Sequence, residues 1–412
     1  MNPNSPYKFL LVSETSDSGN PALDFTGQAS SIWKKVLVMD SIFDFYPSIE
    51  IIVADDVGLI SDVITMVEGM KFNAKLGDPD LGYVTHDYAA TKNEILSAKI
   101  TTHLSSDVLL NFTSYYNLLD VKDSVAWDDT LSNIVKDVCT KALKIPNDKL
   151  SNIETTVGKD KWYRINETAQ TFFRKLLKRA FSQTYENSPF LTFINSNGEF
   201  YFTSIEKLFK SQQPINTTPY AFSGDDNQSY DTYAIKNFYT MQGGLEINKD
   251  NYNPRLFYRK NTGTINTESE TGELSKIDLH MVKSDGKVMF RSDLIDETIA
   301  TDFHDFGIYE DDKDKQFYQG FKNSVFIDSA LYFRMEITIN FNMLAVAGKL
   351  VNLKLASYIK EKAGFAEEYN GNWLILTSRH FYDVGAIPFT RLVIAKSRVD
   401  VGKDNPFEKR YL

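Results

Sequence analysis

Cysteine is almost missing from this chain: Cys139 is the single copy in 412 residues. That excludes an internal disulfide framework, a thiolate cluster for zinc or iron and sulfur, and dithiol redox chemistry, because each needs several such side chains. Histidine is scarce too, and its five copies, His86, His103, His280, His304 and His380, show no ligand spacing. No apolar run approaches the roughly 20 residues needed to cross a bilayer. The polar start MNPNSPYKF lacks the basic and apolar regions of a signal peptide, so the expectation is a soluble chain made in a cytoplasm. Positive charge is not in excess either. With 45 Lys and Arg against 55 Asp and Glu the formal charge is −10, which speaks against wrapping nucleic acid. An acidic surface still suits a channel through which DNA slides without sticking.

The usual catalytic signatures are lacking as well. There is no G-x-S-x-G elbow, no phosphate-binding glycine loop ending in Lys and Ser/Thr, and no H-E-x-x-H. Asp17-Ser18-Gly19 matches the tripeptide of aspartic proteases, but it has no second copy and reads as turn chemistry. The carboxylates Asp302, Asp305, Glu310, Asp311, Asp312 and Asp314 do not make a calcium loop. Starting the loop at Asp312 puts Phe317 where glycine is required and Asn323 where a bidentate glutamate is required. No catalytic, cofactor-binding or metal-ligating residue is therefore assigned.

What the chain does have is length and apolar content, 42% hydrophobic residues and 13% aromatic, enough for three or four domains. The clearest helix runs through Ala169, Phe172, Phe173, Leu176, Leu177, Ala180 and Phe181 at three- and four-residue steps, with Asn166 as its expected cap. Its other face carries Arg174, Lys175, Lys178 and Arg179, a solvated face in the ordinary reading and a phosphate site in the alternative one. A second helix is expected through Trp127, Leu131, Ile134, Val135, Val138, Cys139 and Ala142, with Asp128 and Asp129 in its first turn. Cys139 on that stripe reads as a buried small hydrophobe.

Elsewhere the period is two. Leu331, Phe333, Met335, Ile337 and Ile339 alternate with polar residues, as do Val351, Leu353 and Leu355. Asn197-Gly198, Asp285-Gly286 and Asn370-Gly371 read as hairpin turns. Residues 248–319 shift to polar and acidic composition while RLFYRK, SKIDLHMV and KVMFRS keep short strand patterns, which fits an inserted lobe. SGDDNQS, Ser223 to Ser229, reads as a plain acidic loop. In NWLILTSRHFYD both faces of an extended segment begin apolar and end polar, so His380 reads as a rung of a strand that runs from a core towards a rim or partner.

Several stretches then resemble, in order, the central baseplate hub proteins of contractile phage tails. Val36 to Asp78 is similar to the family's opening barrel, with its turn at Ser41 to Phe43, a strand from Ile49 ending at Asp55, a short helix from Val57 to Met66 and a strand started by Gly69. ETAQTFFRKLLKRAFS with FLTFINSNGEFYFTSIEKLF resembles the family's helix and hairpin. YDTYAIKNFYTMQGGL follows, and GKLVNLKL, NGNWLILTSRHFYD and FTRLVIAKS resemble its second barrel, with its histidine near the end of the penultimate strand. Similar barrels form the base of type VI secretion spikes.

The resemblance implies an α+β, β-rich fold with two similar tail-tube-like β-barrels, an intervening α/β domain and an inserted small β lobe. The implied domains are 1–118, a first barrel; 119–218, the α/β domain; 219–247 with 320–412, a second barrel; and 248–319, the lobe. It implies a non-enzymatic homotrimer in a virion tail baseplate, assembled in the host bacterial cytoplasm. That trimer would join a sixfold tube to a threefold spike and form part of a DNA channel. Its partners would be the central spike protein, tail tube proteins, other baseplate proteins and the tape measure protein, with no sequence-specific nucleic acid binding. Two other readings stand beside it. One is a glycosidase or peptidoglycan hydrolase whose paired carboxylates lie far apart in sequence. The other is a carbohydrate-binding tail protein using surface tyrosines and tryptophans.

Overall fold

The computed structural model describes residues 8–13, 33–55, 68–78, 82–100, 104–185, 188–210, 213–216, 235–242, 257–260, 273–276, 283–284, 287–288, 331, 333–353, 371–383 and 388–396. Asp17-Ser18-Gly19, the acidic loop at 223–229, the carboxylate run at 302–314, the expected helix at 57–66, Leu355, and His103, His280 and His304 lie outside them.

The first region supplies β1 (Lys8–Ser13), β2 (Trp33–Ser41), β3 (Ser48–Asp55), β4 (Lys71–Asp78), β5 (Gly82–Ile100) and β6 (Leu104–Ser114). Strict alternation along β3 puts Ile49, Ile51 and Val53 inside and leaves Glu50 and Ile52 half-buried. Gly69 turns the chain into β4 at φ +87°, a conformation that glycine adopts without strain.

The middle region holds every α-helix among the described residues: α1 (Tyr115–Leu119), α2 (Leu131–Lys141), α3 (Ala169–Leu177) and α4 (Ile205–Lys210). Between them run β7 (Asp123–Thr130), β8 (Asn152–Ile153), β9 (Lys159–Glu167), β10 (Phe190–Ile194) and β11 (Phe200–Ser204). β10 and β11 form an antiparallel hairpin through Asn197-Gly198, with Gly198 at φ +73° as its turn requires, and β8 adds parallel to β11. β7 and β9 form a separate two-stranded ribbon.

Two helix starts differ from expectation. Asp128 and Asp129, expected in the first turn of α2, belong with Trp127 to β7, and Thr130 caps the helix, its hydroxyl accepting from Asn133 N. Thr168, not Asn166, caps α3, and its hydroxyl accepts from Thr171 N at 3.3 Å. Asn166 sits in β9 at φ +46°. In both places tertiary strand pairing takes residues that the helical period would have absorbed, and a threonine then offers its oxygen to an unpaired N–H of the first turn. α3 also stops at Leu177, one turn before Phe181.

The last region contributes β12 (Ile215–Asn216), β13 (Ile235–Gln242), the short pairs β14 (Phe257–Lys260) with β15 (Glu273–Lys276) and β16 (Lys283–Ser284) with β17 (Lys287–Val288), then β18 (Phe333–Asn340), β19 (Leu350–Leu353), β20 (Gly371–Asp383) and β21 (Phe389–Lys396). β13 and β18 pair antiparallel across the long segment between them. Asp285-Gly286 itself is outside the described residues, although the strands on either side of it pair. Asn370-Gly371 is no tight hairpin: Leu353 faces Gly371, so residues 354–370 all separate the two strands.

Ten strands follow one path, β1-β4-β5-β6-β3-β2-β20-β21-β18-β13, with β19 and β12 branching from β20. The expected closed barrels are not seen among the described residues. No pairing among the described strands closes this path, and the two ends of the chain meet instead in one sheet where β2 pairs with β20. That seam satisfies hydrogen-bonding edges which would otherwise be exposed.

Candidate functional site

The residues that the fold brings together from all three regions lie where its parts are held to one another. That place is the carboxyl end of β2. Its register sets Val36 opposite Tyr382, Val38 opposite His380 and Asp40 opposite Ser378, all six buried on one face. The partners are more than three hundred residues apart in the chain, so the seam joins beginning to end. The segment after β18 crosses the same face, placing Phe341 and Met343, with Tyr382, in the apolar core of the first region.

Asp40 is 3% exposed, and three regions meet on its carboxylate. Oδ2 accepts from Ser196 N at 2.7 Å and from Ser196 Oγ at 2.8 Å, in the β10–β11 turn, and Oδ1 accepts from Ala347 N at 3.1 Å. Burial raises its pKa to about 6, with the bonds from Ser196 and Ala347 pulling the other way. A carboxylic acid that titrates near 6 could serve acid catalysis. Here its oxygens are already engaged by three donors, and its side chain is closed off from solvent, so it works as a clamp.

His380 is the rung the sequence indicated, and its hydrogen bonds fix its state. Ser378 Oγ spends its one proton on Ala345 O at 2.6 Å, so towards His380 Nε2, at 2.9 Å, it accepts. Nε2 therefore carries the proton, and Nδ1 accepts from Thr390 Oγ1 at 3.0 Å, whose oxygen in turn accepts from Asn342 N. Burial lowers the pKa of the ring to about 3. The ring is neutral, fully partnered and inaccessible. The polar end of β20 faces β2 of the same chain rather than an open rim. His86, in β5, is also buried, bonded to Ser114 Oγ at 2.8 Å and lowered by burial to about 4. It lies under the β10–β11 turn, where a Cβ on Gly198 would come within 2.7 Å of its Nδ1.

The turn after β2, at Ser41 to Phe43, belongs to this joint. Ile42 enters a core built from all three regions, with Leu191, Phe193 and Tyr201 of the middle hairpin and Leu350, Leu374 and Leu376 of the last region. Phe45 packs against Phe173 and Phe200, and Tyr46 donates to Asp120 Oδ2 at 2.8 Å. Asp120 also receives Ala169 N and Gln170 N at the start of α3, where the helix dipole favours its charge, and Arg164 Nη2 lies 3.8 Å away. Gly348, at φ +83°, lets the crossing segment pass so close to Phe193 that a Cβ there would meet the ring at 2.5 Å.

The remaining candidates resolve simply. Cys139 is fully buried on α2 and its thiol is raised by burial. No group of three or more His, Cys, Asp or Glu among the described residues could hold a metal ion. The basic face of α3 is partly spent on ion pairs, Lys175 with Glu167 at 2.6 Å and Arg179 with Asp160 at 3.5 Å. Sequence reasoning missed Asp40 and Gly348. A lone aspartate ending an apolar strand, and a glycine in a loop, give no signal until the fold brings distant segments to them.

The fold just described is similar to that of solved tail proteins. A tail protein from Neisseria meningitidis MC58 aligns over 96% of this chain and 98% of its own, at 11% identity and a TM-score of 0.55. The 43 kDa tail protein of prophage MuSo2 from Shewanella oneidensis aligns over 95% and 99%, at 10% identity and a TM-score of 0.51. A type VI secretion system component of E. coli aligns over 89% and 73%, at 8% identity and a TM-score of 0.46. No protein-family model and no curated protein sequence matches the chain.

Proposed function

We propose that this chain is a baseplate hub, a homotrimeric adaptor between a sixfold tail tube and a threefold central spike that lines part of the DNA channel. The observation that carries the reading is the near end-to-end likeness in fold to two tail proteins. The seam supports it. A subunit that bears load between a tube and a spike needs its first and last regions locked together, and β2 with β20, clamped through Asp40, does that.

On this reading 1–118 and 219–247 with 320–412 are two tube-facing units, 119–218 is the α/β unit between them, and 248–319 is an insertion carried by β13 and β18. Three copies then present six tube-facing units, and head-to-tail contacts close the ring. The subunit acts by assembly in the virion tail, with the spike, tube, tape measure and other baseplate proteins as partners, and makes or breaks no covalent bond. The excess of acidic residues keeps the channel from binding DNA.

The test is co-expression with the spike protein followed by native mass measurement. A complex of three chains with three spike subunits is expected. A stable one-to-one complex, or turnover of peptidoglycan abolished by one carboxylate substitution here with the fold intact, would overturn the reading.

A further inference from the structure

Three of the nine large apolar side chains exposed among the described residues, Val125, Tyr163 and Ile165, belong to the β7–β9 ribbon, and Tyr163 and Ile165 share one face of β9. The ribbon is unusual in a second way. Among the described residues β9 pairs with β7 on one side and with no strand on the other, an edge that an incoming strand can join once Lys161 N, held by Asp160 Oδ1 at 2.8 Å, is released. Beside it lies a third feature, a groove of about 280 Å³ between β9 and the end of α3, lined by Asp160, Lys161, Trp162, Lys175, Lys178 and Arg179.

The charge of this groove decides what fits. Arg179 neutralises Asp160 and lies over the Trp162 ring at 5.5 Å, and Lys175 is held by Glu167. Lys161 and Lys178 are exposed and make no ion pair among the described residues. A chain of net charge −10 thus carries a locally cationic groove beside an open strand edge. The apolar residues continue the same strand, Tyr163 at 58% exposure and Ile165 at 71%.

We propose that the β9 edge is a docking site for an extended, acidic segment of a partner protein, which joins the ribbon as a third strand. Main-chain bonds to β9 supply affinity, while carboxylates on Lys161 and Lys178, and apolar side chains beside Tyr163 and Ile165, supply selectivity. A two-stranded ribbon is marginal by itself, and a third strand completes it.

The test uses the full chain and a short fluorescent peptide alternating glutamate and valine, read by anisotropy, with amide exchange at Tyr163 followed in parallel. Saturable binding is expected, with Tyr163 exchange slowed and affinity weakened about tenfold or more in Lys161→Glu/Lys178→Glu. Both lysines are exposed, so circular dichroism of that variant should match the parent. A second variant, Ile165→Ser, should weaken binding without changing its salt dependence. Four results would each overturn the proposal: no saturable binding, equal affinity in the double variant, tighter binding of a single-stranded oligonucleotide, or self-association through β9 that the peptide fails to compete.

Discussion

Two antiparallel pairings in this molecule, β2 with β20 and β7 with β9, use the same backbone chemistry to opposite ends. The first is closed on all sides. Its buried face carries Asp40, Ser378 and His380, each hydrogen-bonded within the protein, and both strands have a further neighbour in the sheet. The second exposes Tyr163 and Ile165 and, among the described residues, an edge with no strand neighbour. Polar groups buried with full partnering hold a joint together, whereas apolar groups left outside a pairing mark a surface kept for another molecule. Substitutions should therefore be costly at the seam and nearly silent, for stability, at the ribbon.

The largest effect is expected at Gly348. Gly348→Ala puts a Cβ into a backbone at φ +83° and against the Phe193 ring, so unfolding by urea should show a loss of about 3 kcal/mol or more. Next comes Asp40→Ala, which leaves Ser196 N and Ala347 N buried without an acceptor, at about 2 kcal/mol near pH 7.

That second loss should grow with acid. Burial raises the folded pKa of Asp40 to about 6 from 3.8, so its contribution is full below 3.8 and is lost as pH rises through 6. Between pH 7 and pH 5 the difference between parent and Asp40→Ala should widen by about 1 kcal/mol. The two histidines run the other way. Burial lowers His86 to about 4 and His380 to about 3, so their contribution is full above the unfolded value of 6.5 and is lost as pH falls through those values. His380→Gln should accordingly flatten the acid limb of a stability profile taken from pH 7 to pH 4.

The smallest effect belongs to the ribbon. Tyr163→Ser and Ile165→Ser should each leave stability within about 0.5 kcal/mol of the parent by the same urea titration. A large loss at either would mean that the ribbon face is structural, and the contrast between seam and ribbon would fail.

Much of this was legible in the sequence, for a reason that also marks the limit. Local period finds elements: the apolar stripe of α2 with Cys139 on it, the alternation of Met335, Ile337 and Ile339, and the Asn197-Gly198 turn all appear where the residues place them. Period cannot say which strands pair across the whole chain. The β2–β20 seam, the strand path that no described pairing closes, and the convergence on Asp40 depend on contacts between residues hundreds of positions apart. Helix starts failed for a related reason: Trp127 and Asn166 continue helical patterns, yet they are held in strands by each other's neighbours. His380 was readable as a rung because its flanks alternate, while its protonation rests on Thr390 and Ala345, which no spacing reveals.

The central claim is that one subunit carries two tube-facing units locked by the seam and closes into a ring of three. A cryo-electron microscopy reconstruction of the chain assembled with its spike and tube proteins tests that most directly. The account predicts threefold symmetry with six related units facing the tube, two from each chain, and the β2–β20 pairing intact in every copy. A dimer, an open filament, or end regions of unrelated fold meeting the tube would contradict it.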